Sequence, residues 1–301
     1  MALSSSFRNR FVDPKLLAST RSLQLIARTV VEGFLAGLHR SPYHGFSLEF
    51  AEYREYSPGD DIRRVDWKVY GRTDRFYVKK YEGDTNTQVY LLLDTSRSMC
   101  YGSHEVSKLD YGRYLAAALA YLSVRQSDAV GLVAFDSQIR KFVPPRTRNG
   151  QLLAMLHELE RLEIGADTDI RTALEELSGL IKRRSLVVVI SDFYEDPAEL
   201  AKAFRFFHHR GNDVLAFHIL DPMELEMPLE GRSTLEDLET GQQIPYDSES
   251  SRTGYLKELQ MHISGLQKEC RNAQIDHVLM NSSLPLDKAL LQYLSVRTRR
   301  I

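Results

Sequence analysis

The chain has 301 residues, and its 39 basic and 41 acidic side chains leave a net charge of −2. That balance excludes a binding mode built on overall charge, whether toward nucleic acid or an anionic membrane. Its 43% hydrophobic and 27% charged content is that of a globular protein able to bury a sizeable core. No apolar run reaches the ~20 residues that span a bilayer, and the start MALSSSFRNRFVDP lacks the apolar stretch of a secretory signal. Cys100 and Cys270 belong to no CxxC pair and read as free thiols. The expectation is a cytoplasmic protein without a membrane span.

Residues 1–85 predict an α+β extension. A long amphipathic helix is expected over about 14–39. Beyond it Phe46, Leu48 and Phe50 alternate as a strand does, and Pro58-Gly59 suits the centre of a type II turn. Asp60 or Asp61 would cap a short helix carrying Ile62, Val65 and Val69, ahead of a strand RFYVKK.

From residue 86 onward strands and helices alternate. QVYLLLD reads as a strand buried on both faces, because its apolar run is continuous. KLDYGRYLAAALAYLSVRQ has helical spacing and strong helix formers. AVGLVAFDS is a second strand, and QIRKFVPP follows closely enough to make a hairpin edge. The helices GQLLAMLHELERL and IRTALEELSGLIKR flank the loop EIGADTD. Next come strand SLVVVISDF, helix PAELAKAFRFFHHRG and strand DVLAFHIL. A helix over about 252–272, a strand IDHVLMN and a helix PLDKALLQYLSV finish the series. The acidic segment 221–251 stands apart, with STLEDLETGQQIPYD predicting a hairpin that turns at Thr240-Gly241. Repeated βα units imply a doubly wound, mainly parallel α/β sheet over 86–301, with 221–251 inserted.

In such sheets ligands bind beyond the carboxyl ends of the strands, where strand order reverses. Asp94 ends one predicted strand and Asp192 another. With Ser96, Ser98 and Thr168 they supply carboxylates and hydroxyls from three loops, without histidine or cysteine. Such hard oxygen donors suit Mg²⁺, with Mn²⁺ or Ca²⁺ as alternatives, and argue against zinc. Two carboxylates only neutralise a divalent ion, which stays electrophilic toward an acidic group from elsewhere.

Asp94-x-Ser96-x-Ser98, then Thr168, then Asp192, resembles the metal-ion-dependent adhesion site of von Willebrand factor A domains. The segment GLHRSPYHGFSLEFAEYREYSPGDDIRRVDWKVYGRTDRFYVKKYE and the later DPMELEMPLEGRSTLEDLETGQ resemble the family called domain of unknown function 58. GADTD departs from the Gly-Gly-Thr usual in adhesion domains. The resemblance implies a von Willebrand factor A-like, Rossmann-like fold and a metal held by Asp94, Ser96, Ser98, Thr168 and Asp192. It also implies partnership with a MoxR-type AAA+ ATPase and an unknown client protein.

Plainer roles stand beside these. Asp94, Ser96 and Ser98 would serve as helix caps, although the next helix starts nearer Ser107. Thr168 would cap the helix DIRTALEEL, Asp169 would be a capping acid, and Asp192 would cap the helix near Pro197. His208-His209 closes a helix, where a cation favours the dipole. The cluster Asp60, Asp61, Arg63, Arg64, Asp66 and Trp67 suits either a solvated turn or a docking surface. Three functions follow. The first is a non-enzymatic metal-dependent adaptor. The second is a phosphoaspartate-type hydrolase or phosphotransferase using Asp94, which lacks the second acid expected at position 96 and any phosphate-binding glycine loop. The third is nucleic-acid binding, opposed by the acids interleaved in DDIRRVDWK.

Overall fold

A computed structural model describes residues 14–20, 22–38, 52–55, 70, 75–80, 87–148, 150–165, 169–236 and 241–298. The strand β3 (Gln88–Asp94) lies inside a six-stranded sheet, as its unbroken apolar run requires. Helix α3 (Lys108–Arg125) leads from it to β4 (Ala129–Phe135) and the edge strand β5 (Ile139–Arg146). Helices α4 (Gln151–Glu160) and α5 (Ile170–Leu180) then cross to β6 (Ser185–Ser191). The sheet continues through α6 (Pro197–His209), β7 (Asp213–Leu220), α8 (Ser248–Asn272), β10 (Asp276–Asn281) and α9 (Asp287–Thr298).

The spatial order is β10-β7-β6-β3-β4-β5, parallel throughout except at the β4–β5 edge. From β3 the chain first builds outward through β4 and β5, and then returns to place β6 on the other side. Strand order therefore reverses between β3 and β6, which opens a crevice at their carboxyl ends. In β5 the adjacent prolines Pro144 and Pro145 accompany a register shift opposite Gly131, where a Cβ would come within 2.6 Å of the Val143 carbonyl. Proline is tolerated there because an edge strand need not donate on its open side.

Side-chain alternation along β3 divides the core. Val89, Leu91 and Leu93 join α3, α4 and α9 in one buried cluster, while Tyr90 and Leu92 join α5, α6 and α8 in another. The first cluster also takes in the amino-terminal segment. The single helix expected over 14–39 is two, α1 (Pro14–Ala18) and α2 (Leu23–Leu38). Ser22 begins the second: its carbonyl accepts from Ile26 N at 3.1 Å, and its hydroxyl accepts from Leu25 N at 3.4 Å. A serine with a better alternative as a cap ends the continuous helix. Ile26, Ala27, Val30, Val31 and Phe34 of α2 are buried against α3 and α4.

Strand β1 (Glu52–Glu55) pairs antiparallel with β2 (Tyr77–Lys80). The expected strand at Phe46–Phe50, the Pro58-Gly59 turn and the helix of Ile62, Val65 and Val69 lie outside the described residues. So does the Asp60–Trp67 cluster. The hairpin of the acidic insertion forms between β8 (Arg232–Glu236) and β9 (Gln243–Asp247), with Gly241 at a φ of 71°. Before it stands a short helix absent from the sequence reading, α7 (Pro222–Glu226). Asp221 caps it in a reciprocal box with Glu224. Helix α8 starts at Ser248, earlier than the residue 252 expected.

Candidate metal centre

The turn after β3 is organised by Asp94. Its Oδ1 accepts from the Ser96 backbone N–H at 2.8 Å, and its Oδ2 accepts from the Ser191 hydroxyl at 2.6 Å. The Ser96 and Ser98 hydroxyls lie 3.0 Å apart, Ser98 opening a short 3-10 turn. None of the three caps α3, whose cap is Ser107, accepting from Asp110 N at 3.0 Å. Nor does Asp192 cap α6. Asp196 does, accepting from Ala198 N and Glu199 N at 2.9 and 3.1 Å.

Asp192 follows β6 in a tight turn. Phe193 adopts a φ of 47°, a conformation unfavourable for a bulky side chain. It is held from both ends: its N–H donates to Ser191 Oγ at 3.1 Å, and its carbonyl lies 2.8 Å from His262 Nε2. Ser191 thus steadies Asp94 and the turn that carries Asp192.

Thr168 lies outside the described residues. The chain on either side of it is tied to this rim. Gly165 N–H donates to the Thr95 carbonyl at 2.7 Å, and Asp169 N–H reaches the Asp136 carbonyl at 3.4 Å. Asp169, rather than Thr168, caps α5 by accepting from Thr172 N at 2.9 Å. Glu195 closes the same side, its Oε1 accepting from Ile170 N at 2.7 Å. Burial takes the Glu195 pKa up to about 7.

The electrostatics show a crowded pair of acids. Burial, and then the Asp192 charge, push the Asp94 pKa up to about 7 against the opposing hydrogen bonds from Ser191 and Ser96. Asp192 in turn touches a buried lysine. Lys108 Nζ donates to Asp192 Oδ2 at 2.8 Å and to Glu224 Oε1 at 2.6 Å. Burial works to lower the Lys108 pKa, but the two carboxylates outweigh it and take it up to about 12. Glu224 belongs to α7, so the acidic insertion reaches over the crevice. A cavity of about 560 Å³ lies beneath it, walled by Tyr101, Lys108, Asp192, Tyr194, Met223 and Tyr255.

Asp94, Ser96, Ser98 and Asp192 therefore meet at the switch point between β3 and β6. Among the described residues no group of three or more histidine, cysteine or carboxylate side chains is placed to hold a metal ion. The donor set here is two carboxylates and two hydroxyls, which suits a hard divalent ion that keeps part of its water shell. When both are ionised, Asp94 and Asp192 repel each other, and such an ion would relieve that repulsion. The sequence reading missed Lys108, Glu224 and Ser191. Two signals were available: a lysine at the first position of a helix opposes the dipole, and Asp221-Pro-Met-Glu224 has capping-box spacing.

The doubly wound sheet, its antiparallel edge and the loops gathered at the switch point define a von Willebrand factor A-like fold. The chain belongs to the family described as Protein of unknown function DUF58, whose signature matches residues 52–264. It is 32% identical over 240 residues to an uncharacterized protein of Mycobacterium tuberculosis, covering 79% of this chain and 75% of that one. YeaD of Bacillus subtilis, also described as uncharacterized, is 26% identical over 165 residues, covering 54% of this chain and 39% of YeaD. Among solved structures, BatB of Bacteroides thetaiotaomicron superposes with a TM-score of 0.51 at 18% identity, covering 71% of this chain and 99% of BatB. An aerotolerance-related membrane protein of Bacteroides fragilis gives 0.50 at 19% identity, covering 68% and 97%. These two likenesses concern the fold. Among the described residues no helix is long and apolar enough to cross a membrane.

Proposed function

We propose that the protein is a non-enzymatic, metal-dependent protein-binding adaptor of the cytoplasm. Its partners are a MoxR-type AAA+ ATPase and a client protein that the pair assembles or remodels. The observation that supports this most is the pairing of Asp94 and Asp192 with the Ser96 and Ser98 hydroxyls at the switch point. Thr168 completes the proposed ligand set. Mg²⁺ is the expected ion, with Mn²⁺ or Ca²⁺ as alternatives. A bound ion supplies a coordination position for an outside carboxylate, since the hydroxyls add no charge and two carboxylates only balance a divalent ion. The chain's own residues orient that position: Ser191 fixes Asp94, and the Phe193 turn aims Asp192. The partnership with the ATPase rests on the family resemblance. A phosphoryl-transfer role for Asp94 is less well supported, because position 96 is a serine whose N–H already serves the Asp94 carboxylate.

Affinity capture from a native lysate tests this reading, with the wild type in Mg²⁺, the wild type in EDTA, and Asp94→Asn in Mg²⁺. Capture of an AAA+ ATPase in the first arm alone is expected. Equal capture in all three removes the metal from docking, and no ATPase in any arm removes the adaptor assignment.

A further inference from the structure

The crevice already contains a cation, and the chain supplies it. Lys108 occupies the first position of α3, where a positive charge meets the positive end of the helix dipole. Its side chain is 1% exposed, so water does little to stabilise the ammonium. The Tyr101 and Tyr194 rings lie 5.9 and 5.1 Å from Nζ. What holds the charge there is its two carboxylate partners, and they belong to different parts of the molecule. Asp192 stands on the metal rim. Glu224 stands on the inserted α7, where its second oxygen accepts from Asp221 N at 2.7 Å. Glu224 is thus fixed from behind by the capping box and faces the lysine from the roof.

We propose that Lys108 is a built-in competitor of the divalent ion, sharing Asp192 with it and handed to Glu224 when the ion is bound. The proposal rests on the metal-centre reading above. The charges support it directly. With Asp94 ionised, as a metal ligand has to be, Asp94, Asp192 and Glu224 bring three negative charges to the crevice and Lys108 returns one positive, a deficit that one divalent cation cancels. A lysine drawing on Asp192 weakens that carboxylate as a ligand, because the ammonium and the ion repel each other across it. Glu224 offsets this repulsion by offering the ammonium a second partner. The insertion is therefore part of the metal site's energetics, although Glu224 is not itself a proposed ligand. Lys108 and Glu224 set the affinity of the rim in opposite directions.

Isothermal titration of the full chain with MgCl₂ and with MnCl₂ tests this on the wild type, Lys108→Met, Glu224→Gln and the double variant. Lys108→Met leaves three uncompensated negative charges and should bind about tenfold tighter or more. Glu224→Gln leaves the ammonium to Asp192 alone and should bind about tenfold weaker. The double variant restores the wild-type balance and should fall within about threefold of it. Lys108→Met strips two buried carboxylates of their partner and is the variant most at risk of unfolding without metal. Glu224→Gln and the double variant decide the question if it does. Four equal affinities overturn the competition while leaving the metal centre standing. No heat from any of the four proteins overturns both, and weaker binding by Lys108→Met overturns the competition by making the lysine a support of the site.

Discussion

Ser191 Oγ donates a 2.6 Å hydrogen bond to Asp94 Oδ2 while accepting one of 3.1 Å from Phe193 N. One hydroxyl thus joins the carboxyl ends of β3 and β6 and anchors a turn with an unfavourable backbone angle. Ser191→Ala would leave the buried Phe193 N–H without a partner and remove a donor from Asp94. We expect a loss of about 1–3 kcal/mol in stability, read from urea unfolding in EDTA. Metal affinity should also weaken near neutral pH, because the Asp94 carboxyl would hold its proton to still higher pH. Unchanged stability would mean that the turn does not depend on this hydroxyl.

Asp94 itself should make the metal-free protein lose stability as pH rises from about 4 to 7. Its folded pKa of about 7 lies well above the ordinary 3.8 of an aspartate in an unfolded chain. Below about pH 4 the carboxyl is protonated in both folded and unfolded chains and carries no penalty. Between about pH 4 and 7 the unfolded chain ionises more readily, so the group increasingly disfavours the fold, fully so above about pH 7. Asp94→Asn, which can retain a hydrogen bond from Ser96 N, should therefore gain thermal stability relative to wild type between pH 5 and pH 8 in EDTA. Millimolar Mg²⁺ should reduce that gain by stabilising only the wild type. A variant whose relative midpoint is the same at pH 5 and pH 8 would contradict this.

Histidines on the neighbouring strands should act in the opposite direction. His218 Nδ1 lies 3.2 Å from His277 Nε2, and burial lowers the pKa of both rings. Burial, then His262 and Lys288, lower the His277 pKa to about 4. Stability from such a group is present above the unfolded value near 6.5 and is lost as pH falls toward 4. His277→Gln should flatten the acid limb of the stability profile between pH 6.5 and 4. Superimposable acid limbs for variant and wild type would exclude His277 as its source.

The amino-terminal helix should behave as part of the core. Ile26 is 1% exposed and packed into the cluster that contains β3 and α3, while its neighbour Leu25 is 55% exposed. Ile26→Ala should cost about 2–5 kcal/mol, and Leu25→Ala within about 0.5 kcal/mol, both by chemical denaturation. Equal small effects would detach α2 from the sheet domain.

The strands were legible in the sequence because continuous apolar runs such as Leu91–Leu93 and Leu186–Ile190 suit few environments other than a doubly covered sheet. The ends of those runs were legible too: Asp94 and Asp192 are acids placed where a buried strand stops. Capping was only partly legible, since Asp169 and Asp196 each stood near another residue able to do the same work. The strand order, and with it the meeting of Asp94 and Asp192 at the reversal, came from the fold. So did the lysine. Lys108 is 84 residues from Asp192 and 116 from Glu224, and nothing local ties them together. Local pattern determined which segments became strands and helices, because propensity and periodicity act over a few residues. Only tertiary packing decided which charges share a crevice, because burial removes the water that would otherwise separate them.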